Sequence, residues 1–153
     1  MEFIQYLLSA VLAGVGLLIG VVQAKISPEE LKAGKPYFVF LKKILFFIML
    51  VLFSYYLIEN KIILAVVVIL SGLILYKYDF DYIFIYPLFG FMLYSFTHDN
   101  FLFSIFAVLI FFIGFPIGTL VFLTQNKRLH TANLIISLAL FLAITLPLFF
   151  SNF

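Results

Sequence analysis

Cysteine is absent from this chain, which rules out disulfides, thiolate zinc sites, iron–sulfur clusters and thiol nucleophiles. Charge is nearly as scarce. Asp, Glu, Lys and Arg make up 10% of the 153 residues, where a soluble domain carries about a quarter. The net charge of +2 is too small a surplus for a nucleic-acid partner, and no basic stripe or RNA-binding motif accompanies it. The longest polar stretch runs only from Lys25 to Pro36, so there is no room for a separate soluble domain. What remains is 66% hydrophobic, with a mean hydropathy of +1.27. That composition has no aqueous solution. The expectation is one all-α membrane domain over 1–153, and the 22 phenylalanines read as lipid-facing surface and codon bias.

The few charges divide the chain. Residues 3–24, 44–58, 62–76, 82–96, 101–124 and 134–150 contain none. A helix needs about 20 residues, and at least about 17, to cross a hydrocarbon core ~30 Å thick. The first and fifth runs meet this directly, and the second does so if it extends back to Tyr37 while Lys42 and Lys43 snorkel to the head groups. The third and fourth are short. A re-entrant hairpin there would bury Lys77, Asp79 and Asp81 at ~2.5–3.5 kcal/mol each, so two short tilted spans are preferred. The predicted helices are 3–24, 37–58, 62–78, 81–97, 101–124 and 133–150, six transmembrane helices in one compact bundle. A short cytoplasmic helix is expected over 28–33.

Loop charge orients this arrangement. With six spans, Lys25, Lys32, Lys35, Lys42, Lys43, Lys77, Lys127 and Arg128 share one face, and Lys61 alone takes the other. The positive-inside rule then makes the basic face cytoplasmic and both termini extracytoplasmic, in a multi-pass protein of the cell membrane. Tyrosines near the run ends fit the same interfaces. Val22-Gln23-Ala24 has the look of a signal-peptide cleavage tail, but Glu2 replaces the basic n-region and the apolar run is too long, so a retained helix is expected.

Polar residues at the run ends have capping roles. Ser27-Pro28-Glu29-Glu30 reads as N-cap, N1 proline and capping-box glutamate, with Gly34 as the stop. Lys25, Lys32 and Lys35 would favour anionic lipid at the cytoplasmic face. Asn60 and Asn100, each after an acid, read as N-caps of the helices they open. Asp81 can cap the fourth.

Motifs for chemistry are thin. Asp79-Phe80-Asp81 is a D-x-D, whose two carboxylates could share a divalent metal, yet no nucleotide pocket surrounds it. His98 and Asp99 lie outside and His130, Asp79 and Asp81 inside, so all five cannot form one acid–base site. His130 with Asp79 or Asp81 stays geometrically open on the cytoplasmic face, an interfacial histidine being the preferred reading. Within the spans the polar residues are hydroxyls (Ser54, Ser71, Ser104, Thr119, Ser137, Thr145), which in a membrane helix bond their own backbone. No cofactor and no catalytic or metal-binding residue is assigned, and the chain reads as a non-enzyme.

Two packing features stand out. Ser9, Ala13, Gly16, Gly20 and Ala24 form one small-residue face on the first helix, for the internal bundle or for a homo-oligomer or other membrane partner. Tyr86, Pro87 and Gly90 in the fourth helix match Gly114, Pro116, Gly118 and Thr119 in the fifth in depth. Such paired interruptions are plain kinks or the walls of a cytoplasmic-side cavity. The leading expectation is an oligomeric or accessory subunit acting through helix packing. The alternative is a small-solute or lipid transporter or channel.

Overall fold

With side chains so uniformly apolar, the rare polar residues decide where each helix ends. The computed structural model describes residues 3–78, 82–124, 135–136 and 138–143. Among them there is no strand, and the fold is all-helical. Helix α1 spans Phe3–Ile26, α2 Pro28–Leu57, α3 Lys61–Lys77, α4 Tyr82–Ser95 and α5 Asn100–Thr124. Residues 135–136 and 138–143 are helical as well. Three stretches are long and apolar enough to cross a membrane, Leu7–Ile26, Pro28–Leu57 and Asn100–Leu123, which suggests a membrane location. The 17 residues of α3 stand at the lower limit for a span, and the 14 of α4 fall below it.

The polar segment after α1 does not form the separate helix expected at 28–33. Pro28 begins α2, which continues without interruption to Leu57. Gly34 cannot act as a left-handed stop, because no glycine among the described residues has positive φ. Pro36 sits inside the helix. The carbonyl it frees belongs to Lys32, an exposed residue at the polar end where water can serve as donor. The expected capping box is also missing, since the Ser27 side chain makes no cap bond. Backbone bonds carry the ladder across this one-residue break instead. The Ser27 amide donates to the Gln23 carbonyl at 3.1 Å, and the Leu31 amide donates to the Ser27 carbonyl at 3.3 Å.

Two other helix starts are capped by side chains. Asn60 Oδ1 accepts from the amides of Ile62 (2.9 Å) and Ile63 (3.4 Å), closing the first turn of α3. At α5 the cap is Asp99 rather than Asn100, which is already helical. Asp99 Oδ1 accepts from Phe101 at 2.9 Å and Leu102 at 3.1 Å. A carboxylate is an equally good N-cap and also meets the positive end of the helix dipole, so the acid takes the position. Asp81 lies outside the described residues.

Helix α5 is the centre of the packing, touching α1 most extensively, then α2, then α4. Of its most apolar stretch, 61% is buried inside the protein, against 39% for α1 and 11% for α2. The aromatics divide between surface and core: Phe40, Phe91, Phe101 and Phe112 are exposed, as the lipid-facing reading expects, and others are not. Phe89, Phe96, Phe103, Phe106 and Phe141 are fully buried and Phe46 nearly so. Phe96 and Phe106 lie 4.2 Å apart between ring centroids, and the Phe53 and Tyr56 rings of α2 meet Phe96 by their edges. Flat rings bring large area at little rotamer cost, so they fill a core as readily as a surface.

Candidate functional site

Sequence reasoning singles out two sets of residues, a small-residue face and the lining of a cavity. The structure brings members of both sets together in one seam, Gly16 and Gly20 of α1 with Gly114, Gly118 and Thr119 of α5. On α1, Ala13 and Ala24 are buried, Gly16 and Gly20 likewise, and Ser9 is half-buried. A methyl group added to Gly16 would collide with the Phe111 carbonyl, and one on Gly20 with the Phe115 carbonyl. The relation is mutual. A Cβ on Gly118 would strike the Leu17 carbonyl, and one on Gly114 would stand 2.7 Å from the Leu17 amide nitrogen. Two G-x-x-x-G pairs, Gly16/Gly20 and Gly114/Gly118, therefore interleave with backbone against backbone. Only glycine permits that approach, which brings carbonyls to the van der Waals limit of the facing helix.

Of the residues expected to line a cavity, Gly114, Gly118 and Thr119 pack against α1 and Tyr86 lies beside Gly114. Gly90, Gly114, Pro116 and Gly118 are buried, Tyr86 and Thr119 are fully enclosed, and Pro87 is half-buried. Thr119 Oγ1 donates across the seam to the Gly20 carbonyl at 3.3 Å and within its own helix to Phe115 at 3.0 Å, sharing one proton. The Tyr86 ring packs edge-on against Phe89 and Phe141, with centroids 5.5 and 6.1 Å away. Its hydroxyl is buried, has no hydrogen-bond partner among the described residues, and lies against the space a Gly114 side chain would fill. An unmet buried hydroxyl costs about 1–3 kcal/mol. It is the one polar group in the seam that packing leaves unserved among the described residues.

The hydroxyls expected to bond their own helices do so wherever a bond is described. Ser71 donates to Val68 at 2.9 Å, Ser104 to Asn100 at 2.8 Å, and Ser95 to Phe91 at 3.0 Å. Each is thereby held in its helix, away from any base. His98 is exposed in the turn before α5. Asp79, Asp81 and His130 lie outside the described residues. Among those described, no cluster of three or more His, Asp or Glu could hold a metal ion.

Sequence reading missed a pair of outer grooves along the α2–α3 hairpin. One, of about 390 Å³, is lined by Phe46, Leu50, Ser71, Ile74, Ile85 and Leu88. The other, of about 300 Å³, is lined by Phe40, Lys43, Ile44, Phe47, Gly72 and Tyr76. Leu75 forms the wall between them. The signal was present in the sequence. Ser71 and Gly72 are adjacent small residues near the end of α3, and each lines one of the two grooves. Lys43 Nζ, on the rim of the second groove, donates to the Tyr76 carbonyl at 3.4 Å, one of the last unsatisfied carbonyls of α3.

No known protein family, curated protein or solved structure matches this chain. The reading of its function therefore comes from its own geometry.

Proposed function

We propose that this chain is a six-span protein of the cell membrane, with both termini extracytoplasmic, that works through helix packing as an oligomeric or accessory subunit. The candidate contact surface moves from α1 to the α2–α3 hairpin. The observation that carries this reading is the burial of α3. Leu75 is its one buried residue, while Ile62, Ile69 and Leu73 on its outer side are 77%, 62% and 61% exposed. The α1 face, by contrast, is already taken by α5. A helix with so little internal contact gains association energy in lipid from close packing with another helix.

Because the chain has no cysteine, the idea has a direct test. Single cysteines at Leu73 and Leu12, both exposed, are treated with a short crosslinker in native membranes. Leu73→Cys should give a discrete adduct, a dimer or a complex with one other protein identified by mass spectrometry. Leu12→Cys should give none. Equal, diffuse crosslinking at both positions would sink the proposal.

The second reading, a small-solute or lipid conduit near Pro87 and Pro116, draws on the unserved Tyr86 hydroxyl. It requires α1 to withdraw from α5. A conduit should be blocked by tethering these helices covalently, for instance through a disulfide between α1 and α5.

A further inference from the structure

The grooves on either side of Leu75 differ in one respect. That of about 390 Å³ has no charged lining residue, whereas that of about 300 Å³ carries Lys43 at its rim. We infer that the second groove holds one acyl chain of an anionic phospholipid, with the lipid phosphate paired to Lys43. This deepens the membrane reading above and rests on it.

Shape comes first. The groove lies on the outside of the hairpin, where Phe40 and Tyr76 are 65% and 87% exposed, so it opens toward the surroundings rather than the core. Its volume reaches the lower bound of sites that enclose small ligands, and its walls are apart from Lys43 almost wholly hydrocarbon. Gly72 lets the Phe47 ring close in as part of the groove wall, since a Cβ there would already stand 3.3 Å from Phe47 Cε2. An extended hydrocarbon tail matches such a trough, and a polar solute does not.

Charge then selects the head group. The Lys43 ammonium has three donors, and the bond to Tyr76 uses one. Two remain for phosphate oxygens, and no carboxylate among the described residues pairs with it. Lys77 follows Tyr76 directly, with its ammonium 5.4 Å from the centroid of the exposed Tyr78 ring. This puts a second cation and two tyrosine rings at the same end of α3. Tyrosine beside lysine is the side-chain chemistry of a head-group layer. The α3 C-terminus itself repels anions through its dipole, but Lys43 covers one of the carbonyls that carry that partial charge. Each lysine near an anionic lipid surface is worth about fivefold in binding.

The test is competition in the purified full chain. It is exposed to equal amounts of phosphatidylglycerol and phosphatidylcholine with identical tails, and retained lipid is read by native mass spectrometry. Phosphatidylglycerol should be favoured by about fivefold or more. Lys43→Gln should remove most of that preference while Lys43→Arg keeps it. Gly72→Leu, which must displace the Phe47 ring that lines the groove, should remove the bound lipid whatever its head group. Ser71→Leu, which fills the neighbouring groove, should leave the preference intact and so guards against general distortion of the hairpin. Equal retention of both lipids by the unaltered chain would overturn the inference, as would a preference that survives Lys43→Gln. Displacement of the lipid by inorganic phosphate alone would overturn it too, because the tail would then contribute nothing. Failure of the membrane reading would look different, with the chain recovered in the soluble fraction of cells.

Discussion

The α1–α5 seam and the α2–α3 hairpin are both built largely from apolar residues and pack in opposite ways. In the seam, four glycines let main chains touch, and Thr119 bonds to the carbonyl of the facing helix. In the hairpin, Gly72 meets the Phe47 side chain rather than main chain, and two grooves run on either side of Leu75. Hydrophobicity cannot account for the difference. What separates the two regions is whether a glycine meets backbone or side chain. Gly16 and Gly20 meet the Phe111 and Phe115 carbonyls, and Gly114 and Gly118 meet the Leu17 backbone, whereas Gly72 meets the Phe47 ring. A glycine against main chain makes a close seam, and a glycine against a flexible ring makes a contact that can give way.

The comparison can be broken most forcefully from the seam side. Gly16→Leu or Gly118→Leu puts a branched side chain against backbone that cannot move aside. Destabilisation should exceed the ~1–3 kcal/mol of ordinary overpacking, read as a collapse of the unfolding midpoint in mixed detergent. A midpoint unchanged by either substitution would mean the helices do not meet here. Tyr86→Phe should act in the opposite direction. Removing a hydroxyl with no described partner should stabilise the fold by about 1 kcal/mol. Destabilisation in the same unfolding assay would show that a residue beyond those described serves the hydroxyl.

Smaller effects sharpen the contrast. Thr119→Val deletes the bond across the seam and should cost about 0.6 kcal/mol, the mean for such bonds between membrane helices, measurable by a double-mutant cycle with a change at Gly20. In the hairpin, Gly72→Ala meets only the far end of the Phe47 ring, which can swing away. It also removes a helix-interior glycine worth up to about 1 kcal/mol. The unfolding midpoint should therefore hold or rise slightly. A large loss would show the hairpin to be as tightly closed as the seam.

Much of this was legible in the residues. The charge-free runs 62–76 and 101–124 lie within α3 at Lys61–Lys77 and α5 at Asn100–Thr124, because in so apolar a chain a single Lys or Asn is enough to mark an end. The small-residue face of α1 was legible too, by its helical spacing. Its partner was not. Gly114 and Gly118 repeat the same four-residue spacing, but Pro116 stands between them, and beside a proline they read as an interruption. Spacing shows that a face is small but not what approaches it. The polar stretch at 28–36 misled for a related reason. Gly34 and Pro36 are stop signals for a chain in water, and inside the first turns of a long helix with exposed carbonyls they are merely tolerated.

The bond from Thr119 to Gly20 spans 99 residues of chain, which has a consequence in time. At about 5–20 residues per second, α1 is complete roughly 5–20 s before the facing glycines of α5 have been synthesised. Through that interval its backbone carbonyls along Gly16 and Gly20 stand open, with no large side chain to shield them. Helix α1 thus waits through the synthesis of α2, α3 and α4 for the partner it packs against. An insertase or a second nascent copy that bound this stripe would be competing with α5 for the same surface, and the order of synthesis gives the competitor the first opportunity.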